Sequence, residues 1–252
     1  MKTNFDLNSI FSRSVSPVLF LDFDGTVSKR DVIDAILEEF ADDRWLEVEQ
    51  EWVDGKIGSR ECLRRQFDLV RATPDELDEY LCGFGLDEGV TSILDLCSET
   101  CMRLHIVSDG FEYYIRRMLK KGIEDQQKVH NIGVWANELI PVGKNQWRTD
   151  FPHLRSVCSD GCATCKPAMM KMNDPFGAPT IFIGDGLSDR FAAETANIVY
   201  AKQKLAKFCE KNKIPHIEYT NLNQVAESLR EAMISLPAAF NGVFGELSIS
   251  PA

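Results

Sequence analysis

No apolar run in the sequence approaches the roughly 20 residues that a bilayer-spanning helix needs. The first thirty residues also lack a basic start followed by the apolar core of an export signal. A membrane partner is therefore not expected, and a soluble, cytoplasmic protein is. Basic residues are scarce as well: 28 Lys and Arg face 39 Asp and Glu, a formal net charge of -11, and no Lys/Arg-rich run relieves the excess. A nucleic-acid backbone would meet the wrong sign of charge, so nucleic acid is not an expected partner either. Internal repeats are missing. What the chain does have is 252 residues, 44% hydrophobic and 27% charged, enough for one large domain or a core with an insertion. Eight cysteines in a long chain with no export signal read as reduced thiols, core fillers or metal ligands rather than a disulfide framework.

Two textures alternate along the chain. VLFLDF (18–23) is a continuous apolar run of strand length, the pattern of a central parallel strand covered on both faces. From Asp31 to about Leu86 the spacing is helical: VIDAILEEF, WLEVEQEWV, RECLRRQFDLV and PDELDEYL, broken by Asp-Asp, Asp-Gly-Lys and Thr-Pro. GFGLDEG (83–89) follows a helix rather than a strand and reads as a hinge. Strands and helices then alternate through RLHIVSDG, FEYYIRRMLKKG, a hairpin around Gly-Lys-Asn, TIFIGDG, LSDRFAAETA, NIVYA, a Lys-rich helix near 202–212, IPHIEY and a last helix near 222–235. This order predicts an α/β fold: a Rossmann-like three-layer core with a central parallel sheet, formed by residues 1–27 and 88–236. A small helical cap, residues 28–87, is inserted after the first strand, and the tail 237–252 is unassigned.

Ligands of open α/β sheets sit at the carboxyl ends of strands. Three such ends, LDFDG, IVSDG and FIGDGLSD, would bring Asp22, Asp24, Ser108, Asp109, Asp185 and Asp189 around one crevice. So many carboxylates in a partly dry site must bind protons or share a cation. Mg²⁺ suits them, being hard and oxygen-seeking and often resting on one or two carboxylates plus a substrate phosphate. A carboxylate that attacks phosphorus needs the same arrangement. Asp24, two residues beyond Asp22, lies on the same side of an extended strand and could trade protons with a leaving group and a water. Ser108 and Lys166 could hold the phosphoryl oxygens.

Taken in order, DFDGT, SDG, CKP and GDGLSD resemble the four motifs of the haloacid dehalogenase superfamily. The helical insertion between the first two resembles its subgroup of phosphoserine and methionine-salvage phosphatases. The resemblance spans roughly residues 18–220. It implies a phosphatase with Asp22 as nucleophile and Asp24 as general acid/base. Ser108 and Lys166 would be phosphate ligands, with Asp109 and Gly110 beside Ser108. Mg²⁺ would lie on Asp22, the Asp24 carbonyl and Asp185, and Asp189 would support the metal or Lys166 from behind. The partner is a small phosphate ester. A phosphotransferase or mutase with the same nucleophile, or an idle phosphate-binding protein, are the rival classes.

Asp31 stands where phosphoserine phosphatases carry a Glu that holds the substrate amine, whereas Gln66 stands in place of their carboxylate-binding Arg and Asp109 in place of a Gly. A substrate carboxylate would lose its bidentate partner and meet an extra acid. The expected substrate is therefore a methionine-salvage-like or an amine-bearing phosphate ester. Finally, His153, Cys158, Cys162 and Cys165 fall just before Lys166. They are either a structural Zn²⁺ set or a loop of reduced thiols that positions the lysine. His105, His130 and His216, and the aromatics Phe111, Tyr113 and Tyr114, read mainly as packing.

Overall fold

The computed structural model describes residues 15–153, 160–174 and 177–234; most of the N-terminal lead-in, Cys158 and the C-terminal tail lie outside the described residues. Strand β1 (Val18–Leu21) is buried along its whole length. Its side chains alternate between two cores, Leu19 and Leu21 facing one and Val18 and Phe20 the other. That alternation is why a run with no polar member is a strand here: period two sends every second residue to the opposite face, and both faces are dry.

Four helices follow, α1 (Val32–Phe40), α2 (Trp45–Val53), α3 (Ser59–Phe67) and α4 (Pro74–Leu81). Their starts are written locally. The Asp31 carboxylate accepts from Asp34 N at 3.0 Å, and Thr73 and Glu76 form a reciprocal capping box with Pro74 in the first turn. The chain enters and leaves this insert side by side: Ser28 bridges Leu86, and Asp87 N donates to Val27 O at 2.8 Å.

The alternating part contains α5 (Val90–Thr100), β2 (Arg103–Phe111), α6 (Glu112–Gly122), the short α7 (Gln126–His130), β3 (Gly133–Val142) and β4 (Gln146–Asp150). It continues with α8 (Lys166–Met172), β5 (Thr180–Gly184), a 3-10 turn Leu187–Asp189, α9 (Arg190–Thr195), β6 (Ile198–Ala201), α10 (Gln203–Asn212), β7 (Ile217–Glu218) and α11 (Leu222–Ile234). The seven strands lie in the order β4-β3-β2-β1-β5-β6-β7, all neighbours parallel except the β3–β4 hairpin. One face is covered by α5, α6 and α11, whose apolar side chains share a core with Ile36, Leu63 and Phe67 of the insert. The other is covered by α8, α9 and α10. The fold is thus a mostly parallel α/β sheet with flanking helices.

Two elements depart from the sequence expectation. IPHIEY yields only Ile217–Glu218 as strand, because β7 is an edge with a partner on one side and Pro215 offers no amide to a ladder. The helix expected over LSDRFAAETA opens as a 3-10 turn, since the Asp189 carboxylate reaches back to the amides of Asp185 and Gly186, each at 3.0 Å.

Candidate active site

The chain diverges at β1, which has β2 on one side and β5 on the other. The carboxyl ends of these three strands therefore border one crevice, the usual ligand position in such sheets. Beyond β1 the backbone stays clamped, with Asp22 N donating to Ile183 O at 2.9 Å. It then turns through Gly25 at φ +73°, where a Cβ would stand 2.5 Å from Asp185 Oδ2. At the end of β2 the register with β3 slips: Val107 is opposite Trp135, but Phe111 is opposite Asn137. Ser108 to Gly110 stand against Ala136 alone, and the two surplus residues make a bulge that turns toward the crevice. A Cβ at Gly110 would collide with Tyr114 and with the Asp24 carboxylate.

Lys166, first residue of α8, is 2% exposed and its Nζ reaches Asp22 Oδ1 at 2.8 Å, Asp189 Oδ1 at 2.5 Å and Ser188 Oγ at 3.4 Å. Burial alone would lower the pKa of this amine, but Asp189, Asp22 and Asp109 outweigh it and hold it above its ordinary value. Breaking such a buried pair leaves a stranded charge, at a cost of about 3–5 kcal/mol. With both Asp189 oxygens occupied, by Lys166 and by the two amides, Asp189 braces the lysine and the β5 loop. Asp185 instead accepts from Thr26 Oγ1 at 2.9 Å. Burial, then Asp189, pushes Asp185 up to about 6, and burial with Asp189 also drives Asp22 well above the usual carboxylate range despite Lys166.

Oxygen atoms of Asp22, Asp185 and Asp189 lie within 4.8 Å of one another. Hard oxygen donors with excess negative charge fit a small divalent cation such as Mg²⁺, and the upward pKa shifts mark the charge it would neutralise.

Asp24 is held from three sides: its Oδ1 accepts from Val32 N at 3.0 Å, and its Oδ2 accepts from Tyr114 Oη at 2.6 Å and Ser108 Oγ at 3.5 Å. Burial pushes its carboxyl up to about 6, with Tyr114 and Val32 opposing. Ser108 Oγ also accepts from Gly110 N at 2.9 Å. Asp109 accepts from Thr164 N at 2.9 Å, and burial raises its pKa.

Asp22, Asp24, Ser108, Asp109, Gly110 and Asp185 line one end of a cleft of about 420 Å³, with Lys166 and Asp189 behind Asp22, and the other walls come from the insert and from α10. Asp31, Asp34, Glu49, Trp52 and Lys204 line that outer part. Glu49 accepts from Gln66 Nε2 at 3.0 Å, and burial raises the pKa of both Glu49 and Asp34. Crowding by protein atoms, then by Asp24 and Asp34, pushes Asp31 up to about 8; its side of the cleft is nonetheless open to solvent, which screens part of that effect. Among the described residues none of these three acids pairs with Lys or Arg within 4.0 Å, whereas Glu51, Glu61 and Asp68 elsewhere on the insert do.

Asp22, Asp24, Asp31, Ser108, Asp109, Gly110, Lys166, Asp185 and Asp189 are thus gathered about one cleft. The zinc set finds no such support. Of its four residues Cys158 lies outside the described residues, and His153, Cys162 and Cys165 do not bring ligand atoms within 4.8 Å of one another. The His153 ring instead packs edge-on against Trp135, so proximity in sequence did not become convergence in space. A different gathering, Glu210, His216 and Glu218, lies near the C-terminal end of α10. Sequence reasoning passed over Thr26, Asp34, Glu49 and the hydroxyl of Tyr114, read as packing; Tyr114 lies on the apolar face of α6, and only contact with Asp24 reveals its second use.

No family model matches the chain. It is 30% identical over 217 residues to the 2-hydroxy-3-keto-5-methylthiopentenyl-1-phosphate phosphatase of Geobacillus thermodenitrificans, covering 84% of this chain and 95% of that protein. The protein of the same name from Bacillus velezensis is 27% identical over 216 residues, covering 83% and 88%. Among solved structures, a substrate-bound phosphoserine phosphatase superposes with a TM-score of 0.66 at 19% identity, covering 85% of this chain and 98% of that one. A phospho-aspartyl intermediate analogue of phosphoserine phosphatase gives 0.65 at 17% identity, covering 88% and 99%. At these identities the solved structures share the fold.

Proposed function

Because the chain belongs to the phosphatases of the haloacid dehalogenase superfamily, and is thereby a phosphoric monoester hydrolase, we propose that it cleaves a small phosphate ester through a covalent phosphate on Asp22. The observation that carries this reading is the buried constellation at the strand ends: Lys166 bound to Asp22, Asp185 beside it, and Asp24 within reach of Ser108.

With Lys166 on one Asp22 oxygen, the other is free to attack phosphorus in line with the ester oxygen. The bond from phosphorus to that oxygen breaks, and Asp24 in its acid form supplies the proton the departing alkoxide needs. Asp24 then takes a proton from a water, whose oxygen attacks the phosphorus and returns Asp22 as a free carboxylate. A carboxyl poised at about 6 can serve both halves near neutral pH. Ser108, the amides of the β2 bulge and Lys166 hold the phosphoryl oxygens as charge moves onto them. Mg²⁺ on Asp22, Asp185 and the Asp24 carbonyl would supply neutralising charge that lets an anionic carboxylate approach an anionic phosphate. The helical insert acts as the lid that excludes water.

The leaving group carries an amine in this reading. Asp31, Asp34 and Glu49 line the outer cleft without partner cations, with Lys204 of α10 as a counterweight, and Trp52 offers a ring face that suits an ammonium. The names of the curated relatives favour a second reading, in which the substrate is the methionine-salvage ester itself.

Asp22→Asn tests the mechanism: turnover of p-nitrophenyl phosphate should fall by about 10⁴-fold or more with the fold intact. A loss of only a few fold would remove covalent catalysis. A panel of amine-bearing esters, sugar phosphates and the salvage ester, with and without Mg²⁺, decides the substrate. Uniformly slow cleavage of the amine-bearing members would set that class aside.

A further inference from the structure

Tyr114 is fully buried in α6, and its ring meets those of Phe23 and Phe111 at centroid distances of 5.9 and 6.3 Å. The hydroxyl at the end of that ring donates to Asp24 Oδ2 at 2.6 Å. Phenylalanine would fill the same volume with no polar group to satisfy, so packing does not account for the hydroxyl. The path between the two groups is kept clear by Gly110, whose Cβ would stand 2.0 Å from Tyr114 Oη and 2.4 Å from Asp24 Oδ2.

Asp24 is held on its other oxygen as well: Oδ1 accepts from Val32 N, at the start of α1, at 3.0 Å. The two donors come from different helices and take one oxygen each. The carboxyl therefore cannot turn about its Cβ–Cγ bond without breaking one of these bonds. A carboxyl has acceptor sites to spare, so a transferable proton still has room on it. Ser108 Oγ, at 3.5 Å from Oδ2, is too far to replace the phenol.

We infer that Tyr114 is a positioning residue whose hydroxyl fixes the Asp24 carboxyl in the orientation from which its proton passes to the ester oxygen. The inference deepens the proposed function and rests on Asp24 as the general acid. As an Asp22 oxygen bonds to phosphorus, the bond from phosphorus to the ester oxygen breaks and that oxygen takes the Asp24 proton, while Tyr114 keeps its own. The gain depends on the leaving group. A basic oxygen such as phenolate departs far more readily with a proton, whereas p-nitrophenolate is stable enough to leave without one. Aim of the carboxyl thus counts for much with the first and for little with the second. The later step, in which Asp24 takes a proton from water, needs the same aim whatever group has left.

The test compares Tyr114→Phe with the unaltered whole protein in Mg²⁺, on phenyl phosphate and p-nitrophenyl phosphate, two esters of similar shape. Phenylalanine keeps the ring, so circular dichroism should not change. The variant's kcat/KM, which reports the first step, should fall by about 5–20-fold on phenyl phosphate and by less than about 3-fold on p-nitrophenyl phosphate. On rapid mixing with the latter it should also release a larger burst of p-nitrophenol than the unaltered protein, approaching about one per active site, because the covalent phosphate now outlives its formation. Equal losses on the two esters, unchanged kinetics or a burst that does not grow would each overturn the positioning role. If Tyr114→Phe does not fold, the Tyr114 hydroxyl proton decides by NMR in the unaltered protein with Mg²⁺. A slowly exchanging resonance that shifts when inorganic phosphate is added supports the inference, and one lost to fast exchange with water, or indifferent to phosphate, overturns it. Equal losses beside an inactive Asp22→Asn would sink the role of Tyr114 and leave the hydrolytic mechanism standing, whereas an active Asp22→Asn would sink the mechanism itself.

Discussion

The two ends of the cleft carry the same kind of charge in opposite ways. At the strand ends Asp22 and Asp189 are almost wholly buried and tied to one buried lysine, and Asp24 and Asp185 each have a hydroxyl donor. Along the insert, Asp31, Asp34 and Glu49 meet solvent, and among the described residues they have no ion-pair partner. Fixed, neutralised charge makes a site for chemistry, because its geometry is set before the substrate arrives. Unpaired charge at the mouth of the same cleft makes a site for selection, because whatever enters supplies the counterion.

Lys166→Met attacks the fixed end and carries the largest expected effect on this comparison. It should lose about 10²–10³-fold in kcat, and its stability to urea at pH 7.5 should fall by about 3–5 kcal/mol as Asp22 and Asp189 are left facing each other. Near-normal stability would mean that the buried acids are not held by this amine. At the other end, the double change Asp34→Asn and Glu49→Gln keeps the shapes and removes the charges. Its kcat/KM for phosphoethanolamine should drop by about 3–10-fold while p-nitrophenyl phosphate changes by less than about 2-fold. Equal losses on both esters would erase the distinction between the two ends.

The smallest effect is on stability against pH. Asp185 binds its proton up to about 6 in the folded protein but ionises near the ordinary aspartate value of 3.8 when unfolded, so the native state holds more protons between those values. Metal-free stability therefore declines as pH rises through that window, and the cost is full above it. Asp185→Asn removes the cost while leaving Thr26 an oxygen to bond. In metal-free protein it should raise the thermal midpoint by about 2–6 °C at pH 7.5, with the gain shrinking toward zero near pH 4. A gain that persists at low pH would assign it to packing rather than charge.

The fixed end was far more legible than the selective one. Asp22, Ser108 and Asp185 each close a short apolar run, so strand burial and polar ending are both local signals that survive into the fold. Lys166 was found through its order among the motifs, but nothing nearby in sequence says that it would lie against Asp22, 144 positions away. Asp34 and Glu49 were invisible because they are ordinary acids on amphipathic helices, and only the packing of α1 and α2 over the sheet turns them into the cleft. The expected zinc loop shows the converse: His153 and Cys165 meet through their backbones, yet the ligand atoms of His153, Cys162 and Cys165 do not gather within 4.8 Å, and the His153 ring packs on Trp135.

By itself the sequence determined the alternation of strands and helices, the parallel sheet that follows from it, the helical insert after the first strand and the acids that end three strands. These are matters of period and local chemistry, repeated along the chain and readable wherever burial alternates. Only the tertiary structure decided which acids share a lysine and which remain unpaired, and that Asp109 holds the segment of Lys166 through Thr164. Those relations depend on distances between residues far apart in the chain, and such distances are set by how the layers pack.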